Sequence, residues 1–192
     1  MEQPINKHKT HSRKAGLQAP SLLKLSENEI ISALAPIFIN DQINTGILAS
    51  VSLAQFILES SFGKSELAQN ANNLFGMKTM LSGNTWDGSA WDGVSIYKKE
   101  TMEEYDHGVL TPVTRIFRKY SCLEDSITDH SSYLLGSTKY NKKRYEGLAG
   151  CSDYRKAIHI IKSGGYATNF NYERNLFIII NYYNLTRYDE TE

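Results

Sequence analysis

Apolar residues recur along this chain at two different periods, and the change of period divides it. Ile30, Ile31, Leu34, Ile37 and Phe38 follow one another at helical spacing. Ser26 and Glu29 ahead of them have the form of a capping box, in which hydroxyl and carboxylate each satisfy a free backbone donor. A helix is predicted from about Glu27, kinked or shortened at Pro36, because proline lacks the backbone donor and crowds the preceding turn. Ile47, Val51, Ala54 and Leu58 make a second stripe at spacings of three and four, which predicts a helix from near Thr45 to near Gly63.

Between Gly83 and Tyr120 the texture changes. Glycines, Trp86, Trp91 and the alternation of Thr111, Val113, Arg115 and Phe117 predict strands, with Asp106-His107-Gly108 as a hairpin turn. Helical signals return at Ser121 and Glu124, which read as another capping box ahead of Leu123, Ile127 and Leu134. Two more helices are predicted. One runs from about Asp153 to Lys162 and is stopped by Gly164-Gly165. The other, from about Tyr172 to Tyr183, is apolar on several faces and is expected deep in the core. Helices, a small strand-rich insertion and helices again predict an α+β domain, mainly α, of two lobes with a cleft between them.

Composition narrows the function classes. With 192 residues, 41% of them apolar and 22% charged, the chain can bury one core but hardly two. Its 21 basic and 21 acidic residues cancel, so no global charge draws it to nucleic acid or an anionic membrane. Apolar runs such as 176–180 fall far short of the roughly 20 residues a membrane span needs. Cys122 and Cys151 show no metal-ligand spacing, and neither His107 nor His130 belongs to a recognised ligand set; no metal and no organic cofactor are expected. Residues 1–25 hold Lys7, Lys9, Arg13, Lys14 and Lys24 against Glu2, without the apolar core of a secretory signal. They are expected to form a solvated basic tail ahead of a domain at 26–189.

Glu59 carries the chemistry that stands out. It ends an otherwise apolar helix, with Ser52, Gln55 and Phe56 seven, four and three residues before it and so on its own face. Two readings follow. An ordinary helix-end glutamate would be solvated. A partly desolvated one would have a raised pKa and could hold a proton near neutrality, as a general acid must. Its position at a helix C-terminus, where the dipole disfavours negative charge, is a cost that the second reading explains.

The run from Ala54 through Gln55-Phe56-Ile57-Leu58-Glu59-Ser60-Ser61-Phe62-Gly63-Lys64-Ser65, followed by Asn73-Leu74-Phe75-Gly76-Met77-Lys78, closely resembles glycoside hydrolase family 73. These are bacterial endo-β-N-acetylglucosaminidases that include flagellar and autolytic wall hydrolases. Phe117-Arg118-Lys119-Tyr120, Asp125-Ser126-Ile127, Asp129-His130, Gly165-Tyr166-Ala167-Thr168 and Tyr172 resemble its later motifs in the same order. The resemblance spans about Ser26 to Asp189 and is more specific than any single short motif.

The resemblance implies a lysozyme-like fold, with the hairpin lobe beside the catalytic cleft, and Glu59 as proton donor to the glycosidic oxygen. It implies a second carboxylate on the strand-rich lobe, at Glu104 or the adjacent Glu103. Such a base would activate water in an inverting reaction, with the two carboxyls about 6.5–9.5 Å apart; the substrate's own N-acetyl group is the alternative. Tyr166 is implied near the acid, and Tyr172 close by, each offering a stacking face and a hydroxyl. Asn73, Phe75 and Gly76 resemble the cleft floor, where Gly76 allows close approach or an unusual backbone angle and Phe75 could equally plug the core. Trp86 and Trp91 have two open readings, sugar stacking or packing of a small lobe. The expected activity is cleavage of the β-1,4 bond after N-acetylglucosamine in peptidoglycan strands at the bacterial cell wall, by a monomer. A muramidase or lytic transglycosylase, and a non-catalytic glycan-binding module, are the rivals.

Overall fold

A computed structural model describes residues 16–81, 86, 88–106 and 109–190, with 101–106, 109 and 110 described in backbone alone. Helix α1 spans Glu27–Thr45, α2 Ala49–Ser60, α3 Glu66–Ala71, α4 Leu123–Gly136, α5 Tyr154–Ser163 and α6 Tyr172–Tyr182. Strands β1 (Ile96–Asp106) and β2 (Val109–Arg118) pair antiparallel, and β3 (Thr138–Lys139) with β4 (Lys142–Lys143) form a second, minimal hairpin. Short 3-10 turns stand at Ala19–Leu22 and Leu185–Tyr188.

The core is built around α2, whose residues from Ala49 through Ile57 are all buried. Ile30, Leu34 and Phe38 of α1, Ile127 and Leu134 of α4, Ile158 and Ile161 of α5 and Leu176 and Ile180 of α6 close around it. Phe38 and Phe56 meet with ring centroids 5.8 Å apart, and burying each ring is worth roughly 1.5–3 kcal/mol over leaving it in water. Because α2 starts inside the protein, its first donors are capped from elsewhere. Gln42 Oε1 accepts from Ala49 N at 2.6 Å, and Asp189 Oδ1 accepts from Ser50 N at 2.8 Å, which also sets an acid at the positive end of the helix dipole.

The capping box at Ser26 and Glu29 forms as predicted. Other expectations are corrected. Helix α1 is not shortened at Pro36 but runs on through it to Thr45. Both Pro36 and Ser32, whose carbonyl loses its partner, face solvent, so water can satisfy the lost bond. Thr45 therefore ends one helix instead of starting the next, and Gly46 at φ 72° closes it. No capping box forms at Ser121: its hydroxyl donates to Asp125, Glu124 accepts from Leu17 N, and the N-cap is Cys122. Helix α6 is not buried all round. Tyr172, Leu176 and Ile180 line its one buried stripe, while Ile178 and Tyr182 are exposed. Nor is all of 1–25 a tail: Ala19 and Leu22 are fully buried, and Ala19 N donates to Asn72 at 3.0 Å. Residues 1–15 lie outside the described residues.

The β1–β2 hairpin alternates exposed and half-buried positions, and of its described side chains only Arg118 is buried. It joins the helical body at its base, where Arg118 N donates to Met77 O at 2.9 Å and Thr79 N to Ile116 O at 3.2 Å. Further out, Tyr97 donates to Glu66 on α3 and Lys99 pairs with the same carboxylate at 2.9 Å. At the far end Glu103 stands opposite Thr111 and Glu104 opposite Leu110, with a register shift between Glu104 and Asp106. The side chains of both glutamates, and the expected turn at His107-Gly108, lie outside the described residues.

Candidate active site

Helix α2 ends abruptly. Ser60 folds back to donate to Phe56 O at 2.6 Å and accepts from Gly63 N at 2.8 Å. Ser61, Phe62 and Gly63 then follow at φ 51°, 59° and 73°. Two non-glycine residues in the left-handed region cost of order 1–3 kcal/mol each, a strain that tends to gather at functional sites. The turn leaves Glu59 on the last exposed step of an otherwise buried helix.

Glu59 opens onto a cavity of about 430 Å³, which it lines with Leu58, Phe75, Gly76, Met77, Leu81, Tyr133, Tyr166, Ala167, Thr168, Asn169, Tyr172 and Asn175. That volume falls within the range of small-molecule and sugar-sized pockets. Among the described residues nothing donates to the Glu59 carboxylate or pairs with it. The residue is exposed to the open cleft, but the walls crowd its carboxyl without offering it a hydrogen bond among the described residues, and this partial desolvation pushes its pKa up to about 7. The C-terminal end of the α2 dipole acts in the same direction.

The far wall is aromatic and its hydroxyls are chained to fixed partners. Tyr172 accepts from Gln55 Nε2 at 2.9 Å, so the glutamine one turn before the acid also holds the tyrosine beside it. Tyr166 lies 5.8 Å from Tyr172, centroid to centroid, with its hydroxyl 3.0 Å from His130 Nε2. The nearby Glu59 charge raises the pKa of both tyrosines further beyond what burial does, so both stay neutral donors. Arg144 fixes the turn that delivers Tyr166: it donates to Gly164 O and Gly165 O at 3.0 and 2.9 Å and to the Tyr133 hydroxyl at 2.8 Å. On the floor, Gly76 sits at φ 66° with no atom within 4 Å of where a Cβ would stand.

Comparisons with known proteins establish the family. Residues 35–185 match the Glucosaminidase family, described as mannosyl-glycoprotein endo-beta-N-acetylglucosaminidase. The chain belongs to glycoside hydrolase family 73. Over 146 residues this family 73 domain is 36% identical to exo-glucosaminidase LytG of Bacillus subtilis, a match covering 75% of the chain and 47% of that protein. Over 150 residues it is 33% identical to a probable N-acetylmuramidase of Lactococcus lactis, covering 76% of the chain and 31% of that protein. The chain thus spans less than half the length of either relative. The catalytic domain of the autolysin Auto from Listeria monocytogenes superposes with a TM-score of 0.70 at 25% identity, covering 88% of this chain and 94% of that one. The fold is lysozyme-like, mainly helical with a small antiparallel sheet.

Within the family 73 domain the residues singled out from sequence whose side chains are described divide into two groups, while the side chain of Glu104 lies outside the described residues. Glu59, Tyr166, Tyr172, Phe75 and Gly76 meet around the cavity. Asn73 and Trp86 do not line it. Asn73 is buried with its amide spent on the backbone: it donates to Met77 O and Arg118 O and accepts from Met77 N, all within 2.9 Å. It holds the floor from below. Trp86 packs edge-on to Tyr133, with the Arg118 guanidinium 4.4 Å from its ring, and Trp91 flanks the same guanidinium at 4.8 Å. Both tryptophans clamp the base of the hairpin. Tyr133, Asn175 and Leu81 line the cavity without having been foreseen. Tyr133 follows His130 by three residues on α4, and that shared helical face was the available signal.

Proposed function

We propose that this family 73 domain hydrolyses the β-1,4 bond after N-acetylglucosamine in peptidoglycan, as an endo-acting glucosaminidase, with Glu59 as the general acid. The observation that carries the reading is the Glu59 carboxyl itself, unpartnered among the described residues and pushed up to about 7 at the floor of a sugar-sized cleft. A carboxyl with that pKa holds a proton at near-neutral pH and can release it to a departing sugar oxygen, which a solvated glutamate cannot do efficiently. Neutral Tyr166 and Tyr172 supply hydroxyl donors and apolar faces to the same space.

Glu104 is proposed as the second carboxylate, delivered by the hairpin to activate water on the opposite face of the sugar. Separate Glu104→Gln and Glu103→Gln variants distinguish it from its neighbour. If both retain activity, the substrate's acetamido group supplies the assistance instead. Action as a monomer belongs to the same proposal, and the substrate sets the site of action at the bacterial cell wall.

A second reading has specific support, because one relative is named a probable N-acetylmuramidase. The same acid on the same fold could serve the other glycosidic bond. Digested wall fragments, reduced with borohydride and analysed by mass spectrometry, separate the two. Reduced glucosamine ends are expected. Reduced muramic ends would mean a muramidase, and anhydro-muramic ends a transglycosylase.

A further inference from the structure

One polar contact in the cleft wall lies behind the proposed reaction instead of within it. His130 is fully buried. Its ring stacks on Phe75, with centroids 3.8 Å apart and planes 7° from parallel, and meets Tyr166 edge-on at 5.6 Å and 89°. One ring nitrogen, Nε2, lies 3.0 Å from the Tyr166 hydroxyl. The other, Nδ1, is buried and meets no hydrogen-bond partner among the described residues. Burial also pushes the imidazole pKa down to about 3, so the ring is neutral.

A neutral imidazole carries one N–H and one lone pair, and the surroundings choose which nitrogen holds the proton. A proton on Nδ1 would strand an N–H donor among apolar rings, and unpaired buried donors are the rarer kind. A proton on Nε2 leaves only a lone pair at Nδ1 and aims the N–H at the tyrosine oxygen. That oxygen then accepts, and its own proton has to point elsewhere. Tyr166 lines the cavity that holds Glu59, so the direction left open leads to the substrate.

We infer that His130 is a positioning residue, donating from Nε2 to the Tyr166 hydroxyl oxygen and thereby turning the Tyr166 O–H into the cleft as a fixed donor to an oxygen acceptor on the bound sugar. The inference rests on the proposed glycosidase reading for what fills the cleft, but not for the tautomer. Without His130 the tyrosine proton could point either way, and its free rotation would be lost on each binding event. With it, the donor is set before substrate arrives, which is how preorganised sites avoid reorganisation during reaction. The face-to-face stack on Phe75 fixes the imidazole plane, so the cleft floor and the aromatic wall are oriented together.

Long-range proton–nitrogen correlation spectra of the histidine-labelled wild-type protein at neutral pH read the tautomer without any variant. Protonated Nε2 and bare Nδ1 are expected for His130, whereas protonated Nδ1 or an imidazolium would overturn the inference. His130→Gln keeps a donor near the Nε2 position and His130→Met, of similar length, has none. The glutamine variant is expected within about threefold of wild-type kcat/KM on wall fragments and the methionine variant about tenfold below it, the effect of one neutral hydrogen bond. In a Tyr166→Phe background that difference should vanish. Equal losses in two folded variants, or a difference that survives in Tyr166→Phe, would overturn it. If neither variant folds, the spectrum decides. Failure of the wild-type protein to cleave wall glycan would instead sink the proposed function and leave the tautomer standing.

Discussion

Glu59 and Asp129 both stand on helices beside the cleft, and the molecule treats their carboxyls in opposite ways. Asp129 is fully buried and accepts from Ser89 at 2.5 Å, Tyr120 at 2.6 Å and Arg118 at 2.8 Å. Glu59 reaches the cleft and has no donor among the described residues, and burial pushes its pKa up to about 7. Asp41 falls between them: buried, with one donor, the Ser131 hydroxyl at 2.6 Å, and pushed up to about 6. The three differ in their supply of donors: three groups donate to Asp129, one to Asp41 and, among the described residues, none to Glu59. A structural carboxylate is given partners that hold its charge, whereas one that must hand over a proton is left without them. The same contrast separates the two ends of the cleft: the Asp129 cluster locks the hairpin base to α4, and the α2 end leaves the proposed acid without a donor among the described residues.

Neutralising each acid or its partner tests the contrast. The largest effect is expected for Glu59→Gln, which should lower wall hydrolysis by about 10²–10⁴-fold, the usual worth of a general acid. The same variant should melt no lower than wild type, because an amide replaces a charge that no described residue stabilises. Undiminished hydrolysis, or a collapse in stability, would place Glu59 with the structural acids.

Arg118→Met comes next. It strands the Asp129 charge in the interior, and breaking one side of such a pair costs about 3–5 kcal/mol in denaturant unfolding. Adding Asp129→Leu should recover part of that loss. Arg118 is also held between Trp86 and Trp91, so activity in the single variant should fall through a loosened hairpin as well as through stability. An unchanged unfolding midpoint would remove Asp129 from the contrast.

The smallest effect is a gain. Asp41 has a folded pKa of about 6 against an ordinary 3.8, so the folded state binds its proton more tightly and stability falls as pH rises between those values. Asp41→Asn should therefore stabilise by up to about 3 kcal/mol at pH 7, and the gain should disappear as pH drops below about 4. A gain of the same size at both pH values would mean that ionisation is not its source.

Much of this arrangement was legible in the residues. The apolar stripe through Val51, Ala54 and Leu58 pointed to a buried α2, and the motif after Glu59 brought in Phe75 and Gly76 and a later one Tyr166 and Tyr172, which meet with it at one cavity. The errors share a cause, in that tertiary partners override local signals. Ser121 and Glu124 spell a capping box, but Leu17 and Asp125 take their side chains. Pro36 reads as a breaker, but its turn faces water. The run 176–180 looks buried on every side, but only one stripe of α6 meets α2 and the core. Asn73 lies in a family motif and Trp86 in the strand-rich lobe, yet both serve the frame of the cleft, since nothing in a linear pattern tells a side chain that touches substrate from one that holds the backbone beneath it. Tyr133 was hidden for the converse reason: it reaches the cavity from a helix with no motif of its own at that position.

The central claim is the proposal that the Glu59 carboxyl keeps its proton because the described residues around it offer no partner for its charge. Carbon-detected NMR titration of that carboxyl in the free protein tests it most directly, with Glu59→Gln assigning the signal. A midpoint near 7 is predicted, with kcat/KM for wall hydrolysis sustained below that pH and lost above it as the acid ionises. A midpoint near the ordinary 4.5, with activity undiminished through pH 8, would contradict the account.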